Sequence, residues 1–188
     1  MQGVAHNPRI DPHMKQSQKR NHKPQRWAFF DLEAQRSAAE VGGFQHMNRM
    51  GVSIAVAWEW PSQIFHVFQS HQTKDIGRLL RSIDRLIGYN IHHFDIPVLK
   101  ASECRIPARL QIVDLLIEIE RQCGRKFSLD SMLEANFGVD QGDADPLQNI
   151  RLWKERRLVE LVANCINDVV GMQRLFGALR DGSPLKHP

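Results

Sequence analysis

Apolar positions along this chain change period partway through. Trp27-Ala28-Phe29-Phe30 is a short apolar run that reads as a buried strand. Residues 51–58 (GVSIAVAW) are apolar and β-branched and predict a second strand. Glu59-Trp60-Pro61-Ser62 reads as a turn, and Gln63 to Gln69 alternates as a third strand. Three strands joined by short connections predict an antiparallel meander. The stretch between the first two, through Gln35-Arg36-Ser37 and Gly42-Gly43, reads as a loop.

Beyond residue 75 the period lengthens. Ile76, Leu79, Leu80 and Ile83 recur at helical spacing over 75–85. Leu86 to Tyr89 reads as a short strand, and His93 to Ser102 as a helix with Pro97 near its first turn, where proline is tolerated. Ile112-Val113 predicts another strand. Ser128 is a natural N-cap for a helix running to about Asn136 and ended by Gly138. From Leu147 to Leu179 the pattern is almost wholly helical. Three strands, then alternating helix and strand, then helices, predict an α/β fold with a central mixed five-stranded sheet flanked by helices. The expected organisation is a basic disordered tail over 1–25, one folded domain over 26–182 and a flexible end over 183–188.

Charge alters this picture in one place. The formal net charge is +4 over 188 residues. Residues 1–26 hold six basic residues and one acid, a net +5, so the rest of the chain is −1. The basicity is therefore a property of the tail, as a solvated leader or as a source of phosphate attraction. No apolar run approaches the roughly 20 residues of a membrane helix, and no apolar stretch follows the early basic residues as in a secretory signal. Cys104, Cys123 and Cys165 are odd in number and widely spaced, which fits neither a disulfide framework nor a zinc site. A soluble protein of the reducing cytoplasm is the expectation.

Three acidic motifs are candidates for chemistry. Asp31-Leu32-Glu33 ends the first strand, and alternation places both carboxylates on one face. They repel unless a cation lies between them, and oxygen ligands suit a hard divalent ion such as Mg²⁺. Asp95 closes Tyr89-Asn90-Ile91-His92-His93-Phe94-Asp95 at the expected start of a helix. A helix-start acid also suits the dipole, Asn90 can cap a turn or face a substrate, and Phe94 can be core or a base platform. Asp168 lies on a helix between Ile166 and Val169-Val170, apolar company in which a carboxylate needs a partner.

Together these motifs, in this order, resemble the DEDD superfamily of 3′–5′ exonucleases, which have a ribonuclease H-like fold. The likeness is strongest to ribonuclease H-like exonuclease domains found alone or beside helicase-type regions. It extends through FFDLEAQRSAAEVGG, MGVSIAVAW, LIGYNIHHFDIPVL, VDLLIEI, FSLDSMLEANFG and DPLQNIRLWKERRLVELVANCINDV, about residues 27–179. The resemblance implies that Asp31, Glu33, Asp95 and Asp168 bind two Mg²⁺ or Mn²⁺ ions. It implies hydrolysis of DNA or RNA from the 3′ end by a two-metal mechanism. Asn90, Phe94 and Arg36 are the expected substrate contacts.

One departure bears on activity. The family places a tyrosine four residues before the last Asp, or a histidine five before it, to assist the attacking water. Here Asn164 and Ala163 stand at those positions. Asparagine can hydrogen-bond a water but cannot take its proton near neutral pH. An attenuated nuclease is therefore expected, with a non-catalytic nucleic-acid-binding or interaction module as the alternative. His92 and His93 could substitute for the missing group or be surface residues. Asp114 matches a family acid and reads as a helix cap or a residue behind the ligands. Trp153 and Lys154 match the family pattern, Trp153 as core. Asp143 and Asp145 read as solvated loop acids.

Overall fold

The computed structural model describes residues 25–139, 145 and 147–188, so the expected tail apart from Gln25, and Asp143, lie outside the described residues. Strand β1 (Trp27–Ala34) is the centre of a five-stranded sheet. It pairs antiparallel with β2 (Val52–Trp60), which pairs antiparallel with β3 (Ile64–Gln69) at one edge. On its other side β1 pairs in parallel with β4 (Arg85–Gly88), and β4 with β5 (Gln111–Asp114) at the far edge. The mixed sheet expected from the sequence is thus present.

Period-2 alternation in β1 feeds two separate cores. Ala28, Phe30, Leu32 and Ala34 face one side, where α2 (Thr73–Ser82) and α3 (Asp95–Ala101) contribute Ile76, Leu80, Val98 and Leu99. Phe29 faces the other, beneath α4 (Leu115–Cys123), α5 (Leu129–Phe137), α6 (Gln148–Lys154) and α7 (Leu158–Asp181). Fully burying each Leu or Ile contributes about 1.5–3 kcal/mol. Helix α5 runs between the caps read from the sequence. Ser128 Oγ accepts from the Ser131 amide, and Gly138 is left-handed at φ 64.

One expectation needs correction. The stretch after the first motif is not a plain loop. It holds α1 (Ala38–Val41) and a 3₁₀ segment over Phe44–Arg49. Ser37 and Glu40 form a capping box that satisfies the exposed amides at the start of α1. The C-terminal region is almost wholly helical as expected, with one break. The chain leaves the helix at Glu155 and turns through left-handed Arg156 (φ 61), so α6 and α7 are separate helices. Apolar periodicity runs on across this break because both helices bury a face against the same core. Residues 183–188 form neither helix nor strand, yet Lys186 exchanges two hydrogen bonds with Asn136.

Candidate metal centre

Strand β1 outruns its parallel neighbour. β4 pairs with it only across Trp27–Phe29, so the edge of β1 at Asp31 and Glu33 lies beyond the end of β4. Both carboxylates are on the α7 side of the sheet, in line with Phe29. The chain leaving β4 turns across this edge. A Cβ on Gly88 would lie 2.7 Å from Ile91 Cδ1 and 2.8 Å from Ile91 Cβ, so only glycine lets buried Ile91 fold back so tightly. Asp114 secures the same turn. It accepts the amides of Asn90 (2.8 Å) and His92 (3.1 Å) and also caps α4 through Leu116 N–H. Asp95 is thereby delivered at the first turn of α3, buried, with Oδ1 lacking any hydrogen-bond partner.

Helix α7 supplies the opposing wall with Cys165 and Asp168. Cys165 Sγ lies 3.1 Å from Asp31 Oδ2, and donor atoms of Asp31, Glu33 and Cys165 all fall within 4.8 Å of one another. Asp95 and Asp168 stand around this trio. Burial first, and then the charge of Glu33, raises Asp31 well above the carboxylate range. Burial and then Asp31 do the same to Asp95. Glu33 is lifted to about 8 by burial and by Asp168, and Asp168 to about 8 by burial, Asp31 and Asp130. Four carboxylates that mutually oppose ionisation, one with an orphaned oxygen, form a site that a divalent cation would complete. The donor set is dominated by oxygen and fits Mg²⁺ or Mn²⁺.

Two asparagines escaped the sequence reading or changed meaning. Asn149 on α6 donates from Nδ2 to Glu33 Oε1 at 2.5 Å. Asn164 donates from its own Nδ2 to Asn149 Oδ1 at 2.8 Å. An amide chain thus runs from α7 through α6 to the β1 carboxylate. Cys165 was also missed as part of this centre. The usable signal was helical spacing, since Cys165 lies three residues before Asp168 and shares its face.

The centre opens into a cleft of about 710 Å³. Glu33, Asp168, Asn149 and Asn164 line it, and so do the expected Arg36 and Phe94. Exposed Phe44 and Leu147 stand on its walls. Asn90 is not among the lining residues. It occupies a left-handed turn (φ 57), in which its amide donates to Asp114 and its carbonyl accepts from the His93 and Phe94 amides. His92 and His93 are exposed and also do not line the cleft. Asp145 is not simply solvated, because it accepts the Leu147 amide and pairs with Arg151. Trp153 is half-buried against the α7-side core, and Lys154 pairs with Glu40 across to α1.

A family model described as the RNase H superfamily matches residues 28–179. Among solved structures, the fold is similar to that of the family B DNA polymerase from the hyperthermophilic archaeon Pyrobaculum calidifontis. The TM-score is 0.66 at 15% identity, over 84% of this chain and 25% of the polymerase. The chain therefore spans about a quarter of that polymerase's length, and the likeness is one of fold. No curated protein matches the sequence. Among the described residues, no helix is long and apolar enough to cross a membrane.

Proposed function

The chain belongs to the RNase H superfamily, and from that premise we propose that it is a metal-dependent 3′–5′ exonuclease acting on DNA or RNA. Nucleases of this superfamily generally use divalent metal ions. The observation that carries the reading is the group of four carboxylates gathered by β1, α3 and α7, of which Glu33 and Asp168 line the cleft while Asp95 is buried with Oδ1 unpartnered. Asp31, Glu33, Asp95 and Asp168 would hold the ions. Two divalent cations bound there would supply an acidified water and neutralise charge on the departing 3′ oxygen.

The chain's own groups do the positioning. Asn149 holds Glu33 in one orientation, and Asn164 holds Asn149. Arg36 is exposed at the cleft and would meet a substrate phosphate there. Phe94 and Phe44 offer apolar surface to a terminal base. No tyrosine or histidine lines the cleft among the described residues, so proton removal falls to the carboxylates and to solvent. General-base assistance is worth about 10²–10⁴-fold, and an attenuated rate follows.

That missing base is also the observation behind the second reading, a nucleic-acid-binding module without turnover. A 5′-labelled single strand incubated with Mg²⁺ or Mn²⁺ separates the two. Stepwise shortening that Asp31→Ala abolishes supports the exonuclease. Binding without shortening, on both DNA and RNA, supports the module. A circular strand must stay closed, since an endonuclease would open it.

A further inference from the structure

A second concavity lies on the opposite side of the sheet, away from α7. Arg81 at the end of α2, Lys100 near the end of α3, and Arg105, Ile106 and Pro107 in the following loop line it. All three basic side chains belong to exposed residues. Among the described residues none of them forms an ion pair, whereas neighbouring Arg78 pairs with Asp75 and Arg109 with Asp84. Glu103, the acid of the same loop, pairs with none of the three. The loop is seated on α2: the point where a Gly77 Cβ would stand is 3.7 Å from the Arg105 carbonyl, from Arg81 Nη1 and from Cys104 Sγ. The helix dipoles favour Arg81 and Lys100 one at a time, but Arg105 belongs to neither helix. Three uncompensated cations around one hollow repel one another until an anion enters.

We propose that Arg81, Lys100 and Arg105 form a second phosphate-binding site that grips the backbone of the nucleic-acid strand outside the cutting cleft. This rests on the nuclease reading for its choice of anion. Helix α3 links the two sites: Asp95 opens it at the metal centre, and Lys100 lies five residues on, about 7.5 Å along its axis. Contacts of this kind carry no base information, so they would hold a long strand of any sequence.

The test measures binding of a labelled long single strand to the full chain in chelator, across a salt series. It compares wild type with the triple variant Arg81→Gln, Lys100→Gln, Arg105→Gln. The expected result is weaker binding, with the slope of log affinity against log salt shallower by about 2 for three lost contacts to a single strand. Arg105→Gln alone, a loop change that leaves both helices intact, should make it shallower by about 0.7. Unchanged slopes overturn the site, and so does a wild type that does not bind the strand. If inorganic phosphate shifts the melting temperature of wild type but not of the triple variant, while strand binding is the same in both, the pocket takes free phosphate and the proposal fails. None of these readouts needs turnover. Failure of wild type to cut with either metal therefore counts against the nuclease reading and leaves the site standing on its salt slopes. If the protein does cut, the triple variant should hydrolyse a dinucleotide at the wild-type rate while KM for the long strand rises.

Discussion

Asn149 Nδ2 sits 2.5 Å from Glu33 Oε1, although 116 residues separate the two. The amide holds the carboxylate at the end of β1, and Asn164 in turn holds the amide. Groups behind metal ligands typically govern affinity by about 10–100-fold. Asn149→Ala should therefore weaken Mn²⁺ binding by about that factor, as read by calorimetry. Equal affinity in Asn149→Ala would detach Asn149 from the centre.

The unliganded centre opposes folding, since its carboxylates are crowded together. Asp31→Asn removes one buried ionisable carboxyl from the cluster. In chelator this variant should melt at a higher temperature than wild type, while losing divalent-cation binding. A lower melting temperature would mean that Asp31 supports the fold through its own contacts.

Stability without cations should also fall as pH rises. Glu33 and Asp168 are held protonated up to about 8, against ordinary values of 4.5 and 3.8. Between those limits the folded chain binds more protons than the unfolded one, so each pH increment favours unfolding. The penalty is absent below about 4, develops through the interval and is complete above about 8. Added Mg²⁺ should remove most of this decline. A pH series of melting curves with and without the ion checks it, and parallel curves would refute the crowding of charge.

Gly88 couples fold to site. A methyl there meets buried Ile91 at 2.7–2.8 Å. Overpacking of this kind costs about 1–3 kcal/mol. Gly88→Ala should thus lower stability in denaturant by about that amount and also weaken cation binding, because the turn that carries Asp95 must shift. Loss of stability with unaltered cation affinity would separate the turn from the centre.

Phe44 is exposed on the cleft wall and contributes nothing to either core. Stacking of a base on an aromatic side chain is worth about 1–3 kcal/mol. Phe44→Ala should leave the melting temperature unchanged and weaken strand binding by about 5–150-fold. Unchanged binding would remove Phe44 from the substrate path.

How much of this was legible depended on whether a feature is local. Ser128 and Gly138 bounded a helix because caps are short-range chemistry. The helix of Ser37 and Glu40 was equally legible, as S-x-x-E, but lay among small and polar residues with no apolar stripe to mark it. Asp31 and Glu33 shared a face by strand alternation alone. Asn90 and His92, adjacent to Asp95 in sequence, were drawn into a turn on Asp114 instead of the cleft.

By itself the sequence determined the alternation of strand and helix, the central mixed sheet and the four acids, because period and order are properties of a line. Tertiary structure decided which polar groups stand behind those acids. Asn149 and Cys165 come from separate helices and reach β1 only once α6 and α7 pack on the sheet. Packing also decided that Asp95 is buried without a full set of partners and that Arg81, Lys100 and Arg105 converge. Such relations depend on distances through space between residues far apart in the chain, which no local pattern encodes.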